Sequence, residues 1–70
     1  MEVKWVEGYE IRVIVDNDSA VISANREGLR SLAGQLAAMA AEAPGTHIHY
    51  DDHNSLEEGS AELIIEKSGS

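Results

Sequence analysis

Asn25-Arg26-Glu27-Gly28-Leu29-Arg30-Ser31-Leu32-Ala33-Gly34-Gln35-Leu36-Ala37-Ala38-Met39-Ala40 is the stretch at which the periodicity of this 70-residue chain changes, and it decides the fold class. Leu29, Leu32, Ala33, Leu36, Met39 and Ala40 recur at spacings of three and four, the period of one helical face. Asn25 is a good N-cap, Glu27 complements the helix dipole in the first turn, and Pro44-Gly45 stops the run. The alanines at 37, 38, 40 and 41 favour helix and let it lie close to a sheet. Gly28 and Gly34 each cost a helix about 1 kcal/mol against Ala. Both are therefore expected where a strand comes too close for a methyl group. No Gly-rich loop or phosphate-binding lysine accompanies them.

On either side of this helix the period is two. Val3 and Trp5, then Tyr9, Ile11, Val13 and Val15, read as two half-buried strands with Glu7-Gly8 as the turn between them. Asp16-Asn17-Asp18-Ser19 is a turn by composition, and residues 20–24 return as a third strand. After the helix, residues 46–51 form a fourth strand, with Ile48 and Tyr50 inward and His47, His49 and Asp51 outward. Ser55-Leu56-Glu57-Glu58 has capping-box spacing and predicts a short helical turn closed by Gly59. Residues 61–67 are the last strand, with Leu63 and Ile65 inward and Glu62, Ile64 and Glu66 outward. The order β-β-β-α-β-β predicts a single α+β domain over residues 1–67. It would be a mainly antiparallel sheet of four to five strands with one helix on one face, and residues 68–70 a flexible tail.

Size and charge bound the function. A chain this short buries only about 60% of its unfolded surface, enough for one core. It has no cysteine, so neither disulfides nor thiolate metal sites are available. Met1-Glu2-Val3-Lys4-Trp5-Val6-Glu7 lacks the basic start and apolar run of a signal peptide, and no apolar run approaches a membrane span. The expectation is a soluble, cytoplasmic chain. Thirteen acidic residues against five basic give a formal charge of −8, which disfavours nucleic acid and anionic lipid and attracts basic partners. The charge is uneven, since Asp51, Asp52, Glu57, Glu58, Glu62 and Glu66 face only Lys67 in the last third of the chain.

The stretch from residue 46 to residue 60 holds all three histidines. His47 and His49 share a strand face and could meet one zinc ion, with Asp51 or His53 adding a ligand. The run His-x-His-x-Asp-Asp-His resembles the His-x-His-x-Asp-His signature of the metallo-β-lactamase superfamily. An extra Asp displaces His53 from that pattern, and the superfamily's fold is several times longer. The reading is therefore no metal and no cofactor. Asp51/Asp52 and Glu57/Glu58 lack the buried, split environments of an acid and base pair, and Ser55, His53 and Asp51 lack a recognisable oxyanion loop. No catalytic residue is assigned.

Three runs together carry a family resemblance: Val21-Ile22-Ser23-Ala24-Asn25-Arg26-Glu27-Gly28-Leu29 through Leu32-Ala33, His47-Ile48-His49-Tyr50-Asp51, and Leu56-Glu57-Glu58-Gly59-Ser60-Ala61-Glu62-Leu63-Ile64-Ile65-Glu66. This combination resembles the bacterial immunity proteins of polymorphic toxin systems, specifically immunity protein thirty-two. The resemblance implies a non-enzymatic antitoxin that binds a cognate protein toxin. Charge adds that the toxin is basic, with a nuclease active site as one candidate, and that His49, Asp51, Asp52, His53, Glu57 and Glu58 form the binding surface. Two other readings stand beside it. One is a small metal-binding or sensory domain using His47 and His49, and the other is a homodimer or larger assembly paired through edge strands with Ile14 and Ile64 at the contact.

Overall fold

The computed structural model of the protein describes residues 1–69. β1 (Ile11–Asp16) and β2 (Ser19–Ala24) form one antiparallel pair, α1 (Arg26–Met39) follows, and β3 (His47–Tyr50) and β4 (Leu63–Glu66) form a second antiparallel pair. The chain is thus a small α+β fold with four strands among the described residues, in two separate two-stranded sheets rather than in the one sheet of four to five strands expected. The tail expected at 68–70 reaches Ser70, which lies outside the described residues. No described helix is long and apolar enough to cross a membrane.

The β1–β2 hairpin follows its turn chemistry. Asp16 pairs with Ser19, so the loop is Asn17-Asp18, and Asn17 takes the left-handed conformation at φ 53° that Asn tolerates. At the start of α1 the Asn25 side chain accepts from Gly28 N at 2.8 Å and from Glu10 N at 3.0 Å. The same amide donates to Gly8 O, so one cap joins helix, strand and turn.

The missing strand is the N-terminal one. Residues 1–9 carry no strand; Gly8 turns the chain at φ 87°, as its position predicts, but the segment before it is held by helix side chains. Val6 N donates to Ser31 Oγ at 2.8 Å, and Gln35 Nε2 donates to Lys4 O at 2.7 Å. Alternation at Val3 and Trp5 therefore marks a strap pinned to a helix, because side-chain partners satisfy the main chain where a ladder would otherwise do so. Trp5 stacks on Tyr9 with centroids 4.3 Å apart and meets Tyr50 edge-on at 6.0 Å.

That arrangement turns the helix away from its expected stripe. Leu32 and Met39 are buried as expected, but the other buried positions are Gly28, Ser31 and Gln35. Leu29 and Leu36 stay 54% and 47% exposed. The reason is steric and polar together. A Cβ on Gly28 would meet Glu10 O at 2.7 Å and Ile11 Cγ1 at 2.9 Å, while Ser31 and Gln35 must reach the strap. Gly34 differs from its expectation, since a Cβ there would meet nothing within 4 Å.

Ile11, Val13, Leu32, Tyr50 and Leu56 form the core, with Trp5, Tyr9, Ala24, Ile48, Ala61, Leu63 and Ile65 packed against it. Leu63 and Ile65 sit inward and Ile64 outward, as alternation predicts. The second edge of β1 is taken by the approach to β4: Glu57 N donates to Ile11 O at 2.8 Å, Ala61 N to Val13 O at 2.9 Å, and Val13 N to Ser60 Oγ. These bonds fix where the acidic stretch lies.

Two measurements test these contacts. Gly34→Ala should stabilise the chain by ~0.5–1 kcal/mol, through helix propensity alone, and Gly28→Ala should destabilise it. Denaturant midpoints that move in the same direction for both would contradict the packing. Burial raises the Tyr50 phenol above its ordinary value near 10. The folded state holds that proton more tightly than the unfolded chain. The associated stability is therefore complete below about pH 10 and is lost as pH rises through the raised value. Tyr50→Phe should cost ~1–3 kcal/mol at neutral pH by leaving Gln35 without its donor, yet flatten the alkaline decline. An equally steep alkaline limb in the Phe variant would contradict this.

Candidate functional site

The acidic stretch begins where β3 ends, and one carboxylate shapes it. Asp51 Oδ1 accepts from His53 N at 2.8 Å and from Asn54 N at 3.0 Å, while Asp51 O accepts from Asn54 N, Ser55 N and Leu56 N. In return, Asp51 N donates to Asn54 Oδ1. Asp51 is thus the capping residue of a tight turn over residues 52–55. The capping box expected at Ser55 does not form a helical turn, because Glu57 N, which would open that turn, is bonded to Ile11 O on β1. Leu56 is driven inward as the last residue of the Asp51 turn, and Gly59 takes the predicted left-handed conformation at φ 85°.

The turn sorts the candidate residues into two groups. Asp51 is half-buried and committed to main-chain donors. Asp52, His53 and Glu58 are exposed, and Glu57 is half-buried with its amide bonded to β1. Asp52 Oδ2 accepts from Gly59 N at 3.2 Å, which ties the two ends of the loop together, and its Oδ1 lies 3.6 Å from His53 Nε2. The loop borders a shallow depression lined by Tyr9, Asp52, His53, Ser55, Leu56 and Glu57. Arg12, which lies outside the acidic candidate set read from the sequence, donates from Nη1 to Glu58 O at 3.0 Å and brings a guanidinium to the rim. Its outward position on β1 was legible; its reach across to residue 58 depends on the pairing of β1 with the loop.

The histidines divide differently from the zinc pattern. His47 and His49 share a face as expected, with ring centroids 4.9 Å apart. His47 Nδ1 lies 2.9 Å from Gly45 O and His49 Nδ1 3.3 Å from Glu62 Oε2, and an acceptor at each requires the proton on Nδ1. Asp51 and His53 turn away to the loop. Among the described residues no three His, Asp or Glu side chains converge to hold a metal ion. The His49–Glu62 contact is exposed on both sides, so it adds little to stability even when His49 is protonated.

The arrangement therefore offers charge and shape for binding on a loop folded by its own first residue. Asp51→Ala should cost ~1 kcal/mol, as loss of a capping side chain does, and Asp51→Asn less because an acceptor oxygen remains. Glu58→Ala should stay within ~0.5 kcal/mol of the parent. Equal losses at positions 51 and 58 in chemical denaturation would contradict the division between turn-forming and free carboxylates.

A family model described as immunity protein 32 matches residues 19–68, from β2 through β4. No curated protein and no solved structure matches the chain.

Proposed function

This chain belongs to the immunity protein 32 family, and from that premise we propose that it is a non-enzymatic antitoxin that binds a basic, secreted bacterial toxin of a polymorphic system in the cytoplasm of the producing cell. In this reading residues 1–67 act as one folding unit. Asp52, His53, Glu57 and Glu58 form the contact surface, with Asp51 shaping it and His49 at its margin. The toxin's catalytic cleft, basic because its substrate is a phosphate chain, receives these carboxylates where the substrate would lie.

The observation that carries the reading is the division of labour at residue 51. One carboxylate folds the loop, so Asp52 and Glu58 remain exposed at the surface and their charge is available to a partner. The overall charge of −8 adds long-range attraction for a cation-rich surface and repels nucleic acid, so the competitor of the substrate is this protein and not a bound oligonucleotide. The wider acidic field includes the exposed Glu62, just before β4, and Glu66 on the outer face of β4. Binding by charge on a rigid loop favours fast capture, which an antitoxin needs when active toxin enters the cell.

Expression of the toxin encoded beside this gene should kill a test host, and co-expression of this chain should restore growth. In vitro, Glu57→Lys with Glu58→Lys should slow association with the toxin domain about tenfold at low salt while leaving the melting temperature nearly unchanged. The difference should shrink as salt rises, since exposed charges are screened beyond about 8 Å at physiological ionic strength. Killing that this chain does not relieve would refute the antitoxin role. Wild-type association by the doubly reversed variant would move the interface away from the acidic loop.

A further inference from the structure

The two edges of the β1–β2 hairpin are treated very differently. Ile11 O and the Val13 amide and carbonyl bond to residues 57, 60 and 61, so these groups point away from β2. Main-chain direction alternates along a strand, so Arg12, Ile14 and Asp16 face β2 and bond to Ser23, Val21 and Ser19. Ala20, Ile22 and Ala24 must then aim their N–H and C=O groups outward, and among the described residues nothing bonds to them. Strands at a free edge are normally guarded by a charge, a proline or a bulge. β2 reads Ser-Ala-Val-Ile-Ser-Ala and has none of these.

We infer that the free edge of β2 pairs antiparallel with β2 of a second copy of this chain, on a two-fold axis at Ile22. The register follows from the outward groups. With Ile22 opposite Ile22 of the partner copy, Ala20 falls opposite Ala24, and every outward N–H and C=O finds a partner. A shift of one residue would leave them facing groups that point the other way. Beyond the two ends of the ladder, the same register brings the acidic turn with Asp18 near the start of α1 with Arg26, once on each side of the axis. The edge is therefore complementary to itself in hydrogen bonding and in charge, as an isologous contact requires.

The apolar surface agrees with this occupant. Ile22 lies on the same hairpin face as Ile11 and Val13 but remains 44% exposed. Directly paired residues of an antiparallel ladder point to the same side, so Ile22 of each copy would shield the other. The α1 residues that contact the strap, Ser31 and Gln35, and the groove residues Arg30, Gly34 and Ala38 occupy one flank of the helix. At 100° per residue Leu29 and Leu36 occupy the opposite flank. Gly28 seats α1 against Ile11 and Ala24, on that same hairpin face, so the two-fold axis places both helices on one side of the joined sheet. Their exposed Leu29 and Leu36 flanks then turn toward each other above Ile22.

The test uses the whole chain without toxin, so it is independent of the antitoxin role. Sedimentation from micromolar to millimolar concentration should show a monomer passing to a dimer. Over that range exchange of the Ala20, Ile22 and Ala24 amides should slow about tenfold or more, while amides already bonded to β1 change little. Asp18→Arg and Arg26→Asp should each weaken the dimer, and the double variant should restore it. Ile22→Lys, at an exposed position, should abolish the dimer without unfolding the chain. A chain monomeric throughout would overturn the proposal. So would a dimer whose edge amides exchange as in the monomer, or a double reversal that rescues nothing. Protection of those amides only when toxin is added would assign the edge to the toxin instead.

Discussion

One side-chain amide holds the three parts of this molecule in register. Gln35, 3% exposed in the middle of α1, donates to Lys4 O on the strap and accepts from the Tyr50 hydroxyl at the end of β3, both at 2.7 Å. A buried amide is tolerable only when its polar atoms find partners, and removing one partner costs ~1–3 kcal/mol. Strap, helix and second hairpin are therefore coupled: if any one moves, a polar group in the core is stranded. Ser31, one turn earlier, repeats the device by accepting from Val6 N and donating to Glu27 O. Trp5, Tyr9 and Tyr50 fill the space these bonds define.

The same constraint separates stability from recognition. Because α1 offers Ser31 and Gln35 inward, its leucines at 29 and 36 are left outside, and the core is completed from the other end of the chain by Leu56. Leu56 arrives there through the Asp51 turn, and residues 57 and 61 then lock to β1. The acidic loop is consequently pinned at both ends by Asp51 and by main-chain bonds to β1, and of its exposed charges only Asp52 adds a tie, to Gly59 N. Exposed side chains on such a loop can change to suit a partner at small cost to folding.

Much of this was legible in the sequence where a local rule acts alone. Asn25 caps the helix, Asn17 and Gly59 take left-handed turns, Gly28 admits a strand, and Ile48, Tyr50, Leu63 and Ile65 share the inward side. Reading failed where a distant partner overrode the local signal. Val3 and Trp5 alternate like a strand, but their segment is bonded to α1 and not to a ladder. Leu29 and Leu36 fit a helical stripe, but the polar contacts of Ser31 and Gln35 set which face turns inward. Ser55 has the spacing of a cap, but Glu57 N, an amide that cap would hold, is bonded to Ile11 O on β1. Of the candidate surface, the cluster of charge was visible, whereas the structural role of Asp51 and the arrival of Arg12 at Glu58 needed the folded chain.

The acidic loop as the toxin-contacting surface is most directly tested by chemical-shift mapping of the isotope-labelled chain during titration with the catalytic domain of its toxin. The account predicts that the largest shifts fall on residues 52–59 and on the Arg12 side chain, with Gln35 and the strap unmoved. Large shifts confined to the strap and the Arg30, Gly34 and Ala38 flank of α1, with the loop silent, would contradict it.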